Sequence, residues 1–426
     1  MAGSTPKERF DAGFKIGTLS APTRPLQSTD LIFVQDVSEA AALESVRVAT
    51  VGDLFADMSG GTTGLTKSIT INTAAEGMIN INFVNGILVS YASANGTGTI
   101  DDPYLVSTAT QLDNVRNDLG AYYKQTANIA LTDYQAGEGW VPIGHESDEP
   151  FTGVFDGAGY KITGLVSAPA TGVAGLFGYL DGATITDLEI EDGDVASSAD
   201  SVAGMLAASG SGTLSRIAVS GTVEGAAAGG LVGYFAGAIT DCGADVAVNG
   251  LSALSTVGGL IGYFDFDGSI TESYALGNVT GVASTAGGLV GTVMGEVAIL
   301  DCYSTGAVSA TADNSGGIAG WTFGGSATIV NCYSAGAITN GTVMGGIIGD
   351  SQDGLDPPSF VTCVWNGDSN AALPTGQVGG DTSYGGVEAT IANMWKAATY
   401  TALAWDFTDI WAIVEDTSYP TLQWQA

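Results

Sequence analysis

One short unit, Gly-Gly-Leu-Val-Gly, governs what this chain can fold into. It appears as Ala174-Gly175-Leu176-Phe177-Gly178, Ala203-Gly204-Met205-Leu206-Ala207, Gly229-Gly230-Leu231-Val232-Gly233 and Gly258-Gly259-Leu260-Ile261-Gly262. It continues as Gly287-Gly288-Leu289-Val290-Gly291, Gly316-Gly317-Ile318-Ala319-Gly320 and Gly345-Gly346-Ile347-Ile348-Gly349. Aligned on their second residue, the copies are 29, 26, 29, 29, 29 and 29 residues apart. A unit of this length cannot bury its apolar face alone, so successive copies must stack into one continuous core. Each copy also carries a second apolar segment, such as Ile299 to Ser304, and a third, Gly306-Ala307-Val308. Three short β segments with glycines between them predict one turn of a right-handed parallel β-helix per copy. Stacking at about 4.8 Å would then pair each coil's backbone with the next.

Stacking turns equivalent positions into columns. Leu188, Ile217, Cys242, Ser273, Cys302, Cys332 and Cys363 share one column, and their types place it inside. All four cysteines lie there, without CxxC spacing and with parallel side chains, so they are expected as reduced core thiols. Flanking residues should then point outward. One flank is acidic over Asp187, Asp241, Glu272 and Asp301, with Arg216 between the first two, and continues as Asn331 and Thr362. Like charges one coil apart repel, so a bound cation such as Ca2+ at Glu272 and Asp301 would relieve the column. Solvation of the carboxylates is the alternative. The other flank places Tyr274, Tyr303 and Tyr333 as an aromatic ladder, and a second aromatic column follows the repeat unit at Tyr179, Tyr234, Tyr263 and Trp321. Exposed rings beside carboxylates are candidate glycan contacts: sugar C–H groups pack on the rings and hydroxyls donate to the acids. A purely structural ladder or a subunit interface is the competing reading.

The remaining sequence divides around the repeats. Residues 1–59 read as an α/β attachment segment, with a strand in Thr29 to Gln35 and a helix in Ser38 to Ser45. Residues 60–95 read as a small β-module, whose period-two segments flank the hairpin signal Asn85-Gly86. Residues 96–150 hold a capping helix, about Thr108 to Leu119, and the first coils. Residues 151–375 are the β-helix, and 376–426, with four of the seven Trp, are a cap over the last coil. Net charge is −34 with only 11 Lys+Arg, which argues against nucleic acid and anionic membranes as partners. No apolar run reaches membrane-spanning length, and the N-terminus reads without a secretory signal, so synthesis in a cytoplasm is expected.

Catalytic signals are weak. His145 is the sole histidine and sits in a turn-like Gly144-His145-Glu146; no nucleophile elbow, phosphate loop or HExxH occurs. The unit Gly-Gly-Leu-Val-Gly followed by Ile-x-Asp/Asn-Cys-Tyr-Ser-x-Gly-x-Val resembles the GLUG motif of bacterial surface proteins, adhesins and some proteases. Gly98 to Val106, Trp140 to Gly144, Phe151 to Ile162 and Ser418 to Leu422 are similar to the start and end of such regions. The resemblance covers about 96–426. It implies an adhesive surface solenoid and carries no catalytic residue. Residues 1–95, with Thr29-Asp30-Leu31-Ile32-Phe33-Val34-Gln35-Asp36 and Thr50-Val51-Gly52-Asp53-Leu54-Phe55, resemble the N-terminal parts of phage tail-fibre proteins. That resemblance implies a virion fibre or spike, docked to other virion proteins through residues 1–60 and commonly a homotrimer, that contacts host polysaccharide. A cell-surface or surface-layer adhesin and a polysaccharide depolymerase are the alternatives.

Overall fold

The computed structural model describes residues 96–425, apart from 253–254, 266–267, 283–284, 312–313, 325–326, 352–358 and 371–385, and six strands before residue 96 by their backbone. The chain divides into two compact units, Met1–Val106 with Thr110–Lys124, and Ser107–Ala109 with Gln125–Ala426.

The first unit holds two antiparallel sheets. Phe14–Ile16, Ile32–Asp36 and Ser45–Val48 form one. The expected strand is therefore present, whereas most of the expected Ser38 to Ser45 helix lies outside the described residues. Lys67–Thr73, Gly77–Val84 and Ile87–Ser93 form the other, with the Asn85-Gly86 position between its last two strands. The helix expected over Thr108 to Leu119 is a short α-turn, Ala109–Asp113, continued by a 3-10 turn, Asn114–Asn117. Leu112 and Val115 are buried, as their helical spacing requires.

The second unit is a parallel β-solenoid of about eight turns. From Thr256 to Thr339 each coil contains five short strands rather than three, whereas earlier coils run several of them together, as in Phe177–Ala196 and Ala207–Gly225. In one coil these are Thr256–Gly258, Ile261–Phe264, Ser269–Thr271, Tyr274–Ala275 and Val279–Gly281. Each pairs in parallel with its counterpart 29 residues on, as in Thr256↔Thr285, Ile261↔Val290, Ser269↔Ala298, Tyr274↔Tyr303 and Val279↔Val308. The repeat unit is not a strand interior. It is the bend between the first two strands, and its glycines are needed because backbones meet there. A Cβ on Gly258 would lie 2.0 Å from the Ile261 carbonyl oxygen, and one on Gly259 would lie 2.2 Å from the Gly288 carbonyl oxygen.

Strand register also corrects the alignment of the second copy. Gly204 pairs with Gly229, not Gly230, so Met205 stands where later coils have their second glycine. The preceding coil makes room with Gly193, whose Cβ would fall 2.2 Å from Met205 Sδ.

Between the third and fourth strands the chain turns a corner on one residue. Asp187, Arg216, Asp241, Glu272, Asp301, Asn331 and Thr362 all have φ between +47° and +58°. The segment read as one strand, Ile299 to Ser304, is therefore two strands broken at Asp301. A left-handed non-glycine residue costs roughly 1–2 kcal/mol, and Asp and Asn tolerate it best. Inside the corner, the cysteine column is buried as expected: Cys242, Cys302, Cys332 and Cys363 are fully buried and free, and Leu188, Ile217 and Ser273 are buried beside them. The third strand's inner row, Ile185, Leu214, Ile239, Ile270, Ile299 and Ile329, is also fully buried.

The C-terminal segment departs most from expectation. Gly386–Ala389 adds a parallel rung to Cys363–Asn366. Two short helices follow, Ile391–Met394, capped by the Thr390 hydroxyl, and Ala397–Thr401. The chain then runs back along the flank of the solenoid. Three indole N–H groups anchor it to three of the last four corners: Trp405 donates to the Thr362 carbonyl at 2.8 Å, Trp411 to Asp301 Oδ1 at 3.3 Å, and Trp424 to the Glu272 carbonyl at 2.9 Å. The segment is thus a lateral strap across four coils as well as a final rung.

Candidate binding faces on the solenoid flank

The strap decides the fate of the first tyrosine ladder. Tyr274, Tyr303 and Tyr333 do stack, with centroids 5.3 and 4.9 Å apart and rings 13° and 5° from parallel. They are not an exposed ladder: Tyr303 is 2% exposed and Tyr333 0%, packed among Tyr400, Trp405, Trp411 and Leu422, and Tyr274 is half-buried against Trp424. Their hydroxyls are bonded inward, Tyr303 to Gln425 Oε1 at 3.0 Å and Tyr333 to the Pro420 carbonyl at 2.6 Å. Burial pushes the Tyr333 phenol well above its ordinary range. The expected exposure is corrected because the strap supplies a hydrophobic partner from far along the chain. Tyr303 and Tyr333, so covered, cannot stack on a sugar.

The second aromatic column stays on the surface. Register aligns Tyr179, Ser209, Tyr234, Tyr263, Thr292, Trp321 and Asp350. Tyr179, Tyr234, Tyr263 and Trp321 are each half-buried. Tyr234 and Tyr263 stack at 5.0 Å and 7°, and Trp321 stacks on Phe323 at 5.4 Å. The Tyr234 hydroxyl donates to the Asp265 carboxylate, and that bond, with burial as the larger cause, raises the phenol's pKa. Tyr263 directs its hydroxyl to Met294 Sδ. Asp265, Met294 and Phe323 were not legible as members of this face, because each lies at or just past the end of the second strand, where the residue type changes from coil to coil.

The acidic column is a row of corner residues, half-buried apart from the exposed Arg216. Arg216 grips Asp187 with two hydrogen bonds, 2.6 Å to Oδ1 and 2.7 Å to Oδ2, and reaches Thr186 Oγ1 at 2.8 Å. Asp301 accepts from Asn331 Nδ2 at 3.1 Å as well as from Trp411. Burial raises the pKa of Asp241, Glu272 and Asp301; for Glu272 the neighbouring Asp241 and Asp301 charges add to it. Arg216 thus offsets the Asp187 charge, and Asn331 and Trp411 supply donors to Asp301. Among the described residues no group of three His, Cys, Asp or Glu side chains converges as a metal site. His145 lies exposed 3.3 Å from Glu146, one coil before Tyr179, whose backbone N–H donates to the Gly144 carbonyl.

No family model matches the chain. Over 92 residues, 20% of its length, it is 44% identical to a protein of Evansella cellulosilytica named as a Gly-rich membrane protein. Over 192 residues, 39% of its length, it is 30% identical to halomucin of Haloquadratum walsbyi. It spans only 10% and 2% of those relatives' own lengths. Among solved structures, one from Bacteroides ovatus, assigned by name to the immunoglobulin A1 proteases, superposes over 78% of this chain at 21% identity and a TM-score of 0.49. Another, named IgA1 protease, covers 84% of this chain at 18% identity and a TM-score of 0.41.

Proposed function

We propose that the chain is a non-catalytic adhesive solenoid of the GLUG-repeat kind, displayed on a particle or cell surface, whose Tyr234–Tyr263–Trp321 face binds surface polysaccharide. The observation that carries this reading is the half-exposed aromatic column with Asp265 at its edge. Pyranose C–H groups can pack on the exposed ring surface while a sugar hydroxyl donates to the carboxylate. The local similarities to a protein named as a membrane protein and to halomucin support surface display. The version in which residues 1–60 dock the chain to a virion rests on the pattern from Thr29 to Phe55 alone. Incubating the full chain with surface polysaccharide, and measuring both retention and newly released reducing ends, tests the reading. Retention without release is expected; release of reducing ends would replace it with a depolymerase.

A further inference from the structure

The half-buried aromatic column runs along the solenoid axis, and its rings are unevenly spaced. Tyr179, Tyr234, Tyr263 and Trp321 fall on the first, third, fourth and sixth of six successive coils, with Ser209 and Thr292 in register on the other two. At about 4.8 Å per coil, the steps from Tyr179 to Tyr234 and from Tyr263 to Trp321 are each about 10 Å. That is the length of one disaccharide in an extended β-linked chain. A polysaccharide lying across the coils would instead meet one of these rings, or two where Phe323 stacks on Trp321. The surroundings of the column are equally selective in charge. Asp181, Asp265, Glu296 and Asp350 lie on the column or in the bend that follows it, each exposed or half-buried. From Tyr179 to Asp350 the only basic residue is Arg216, which grips Asp187 at the corner between the third and fourth strands. Carboxylate or sulfate groups on a ligand are recognised by Arg or Lys, and like charges brought together work against binding.

Given the adhesive reading, on which this rests, we infer that the column takes an extended, β-linked polysaccharide without acidic groups, laid lengthwise along the solenoid axis. The five coil steps from Tyr179 to Trp321 cover about 24 Å, or about six sugars. Successive sugars of such a ribbon turn opposite faces to the protein. Tyr179 and Tyr234 then meet one face and Tyr263 and Trp321 the other. Both faces of an equatorially substituted pyranose carry axial C–H groups that pack on a ring, so the change of face is tolerated. Hydroxyls along the edge of the ribbon can donate to Asp181 and Asp265. Affinity therefore grows with chain length until the ligand reaches from Tyr179 to Trp321, and a uronate or sulfated polymer of the same shape is rejected.

Calorimetric titration of the full chain at about 0.05 M NaCl with two series of β-linked oligosaccharides reads direction, length and charge together. One series is uncharged, N-acetylglucosamine oligomers from dimer to octamer. The other is mannuronate oligomers of the same lengths, equally extended but with a carboxylate on every sugar. In the uncharged series, affinity should rise at least about tenfold from dimer to hexamer as further rings are engaged, then level off. The mannuronate hexamer should bind at least about tenfold more weakly than its uncharged counterpart. Trp321→Ala should lower hexamer affinity about threefold to tenfold and leave dimer affinity unchanged, because the Tyr234–Tyr263 pair is intact. Affinity that already levels off at the dimer overturns the inference, and so does mannuronate binding as tight as the uncharged series; both leave adhesion by this face standing. Binding by neither series, with surface polysaccharide still retained, overturns the inference alone. If surface polysaccharide is not retained either, the adhesive reading falls with it.

Discussion

Replacing Trp411 with Ala tests the strap where it is best anchored. The indole is 0% exposed, lies 4.7 Å from Trp405, 6.2 Å from Tyr303 and 6.0 Å from Tyr333, and donates to Asp301 Oδ1. Removing a buried Trp side chain costs about 3–5 kcal/mol. Asp301 keeps Asn331 as a donor, so its lost bond adds at most about 1 kcal/mol. Against a total stability of roughly 5–15 kcal/mol for a natural domain, the effect is large, and its location is as informative as its size. Contacts in a solenoid are with nearest neighbours, so the loss should fall on the strapped coils. Urea unfolding should show the destabilisation. Hydrogen exchange should accelerate at Ser269–Thr271, Ala298–Leu300 and Thr328–Val330 while Thr184–Thr186 stays protected. A loss under about 1 kcal/mol, or exchange rising equally in all coils, would refute the clamp.

Three further outcomes follow from the same geometry. Asp241, Glu272 and Asp301 have pKa values raised in the folded state, so the native chain holds protons that the unfolded chain releases. Stability should therefore fall as pH rises from about 4, the ordinary carboxylate value, through their raised values. Glu191, lowered by its bond to Lys161, works the other way below that window. The urea midpoint should be higher at pH 5 than at pH 7, and Glu272→Gln with Asp301→Asn should flatten the difference; an unchanged slope would contradict the assignment. The four thiols are fully buried, and burial pushes Cys242 up to about 12, so a thiol reagent should titrate none of them until the chain is unfolded. Gly259→Ala sets a Cβ 2.2 Å from the Gly288 carbonyl oxygen and should cost about 1–3 kcal/mol as overpacking, measurable as a shifted thermal midpoint; an unshifted midpoint would mean that the bend is looser than the structure shows.

Periodicity explains what could be read in advance. A column is a sequence period, so the inward cysteines and both aromatic columns were legible, because every coil repeats the same register. The corner at Asp301 was not: a left-handed residue leaves only a faint compositional trace, Asp or Asn at four of seven positions, which reads equally well as an acidic surface row. The strap left no periodic trace at all. Its Trp residues signalled burial, but their partners lie 43, 110 and 152 residues away, and no local pattern encodes which flank they cover. The exposure of Tyr303 and Tyr333 was misjudged for that reason, whereas Tyr234, Tyr263 and Trp321 lie where no such segment crosses.

The most direct test of the adhesive reading compares the two aromatic columns on immobilised surface polysaccharide, using the full chain. Tyr263→Ala with Trp321→Ala should lower affinity by about tenfold or more, since an aromatic contact contributes on the order of 1–3 kcal/mol, while the fold, judged by its urea midpoint, is little changed. Tyr333→Phe, which loses only a buried hydroxyl bond to Pro420, should lower stability by about 1 kcal/mol and leave affinity intact. Full affinity in the Tyr263, Trp321 variant would contradict the account.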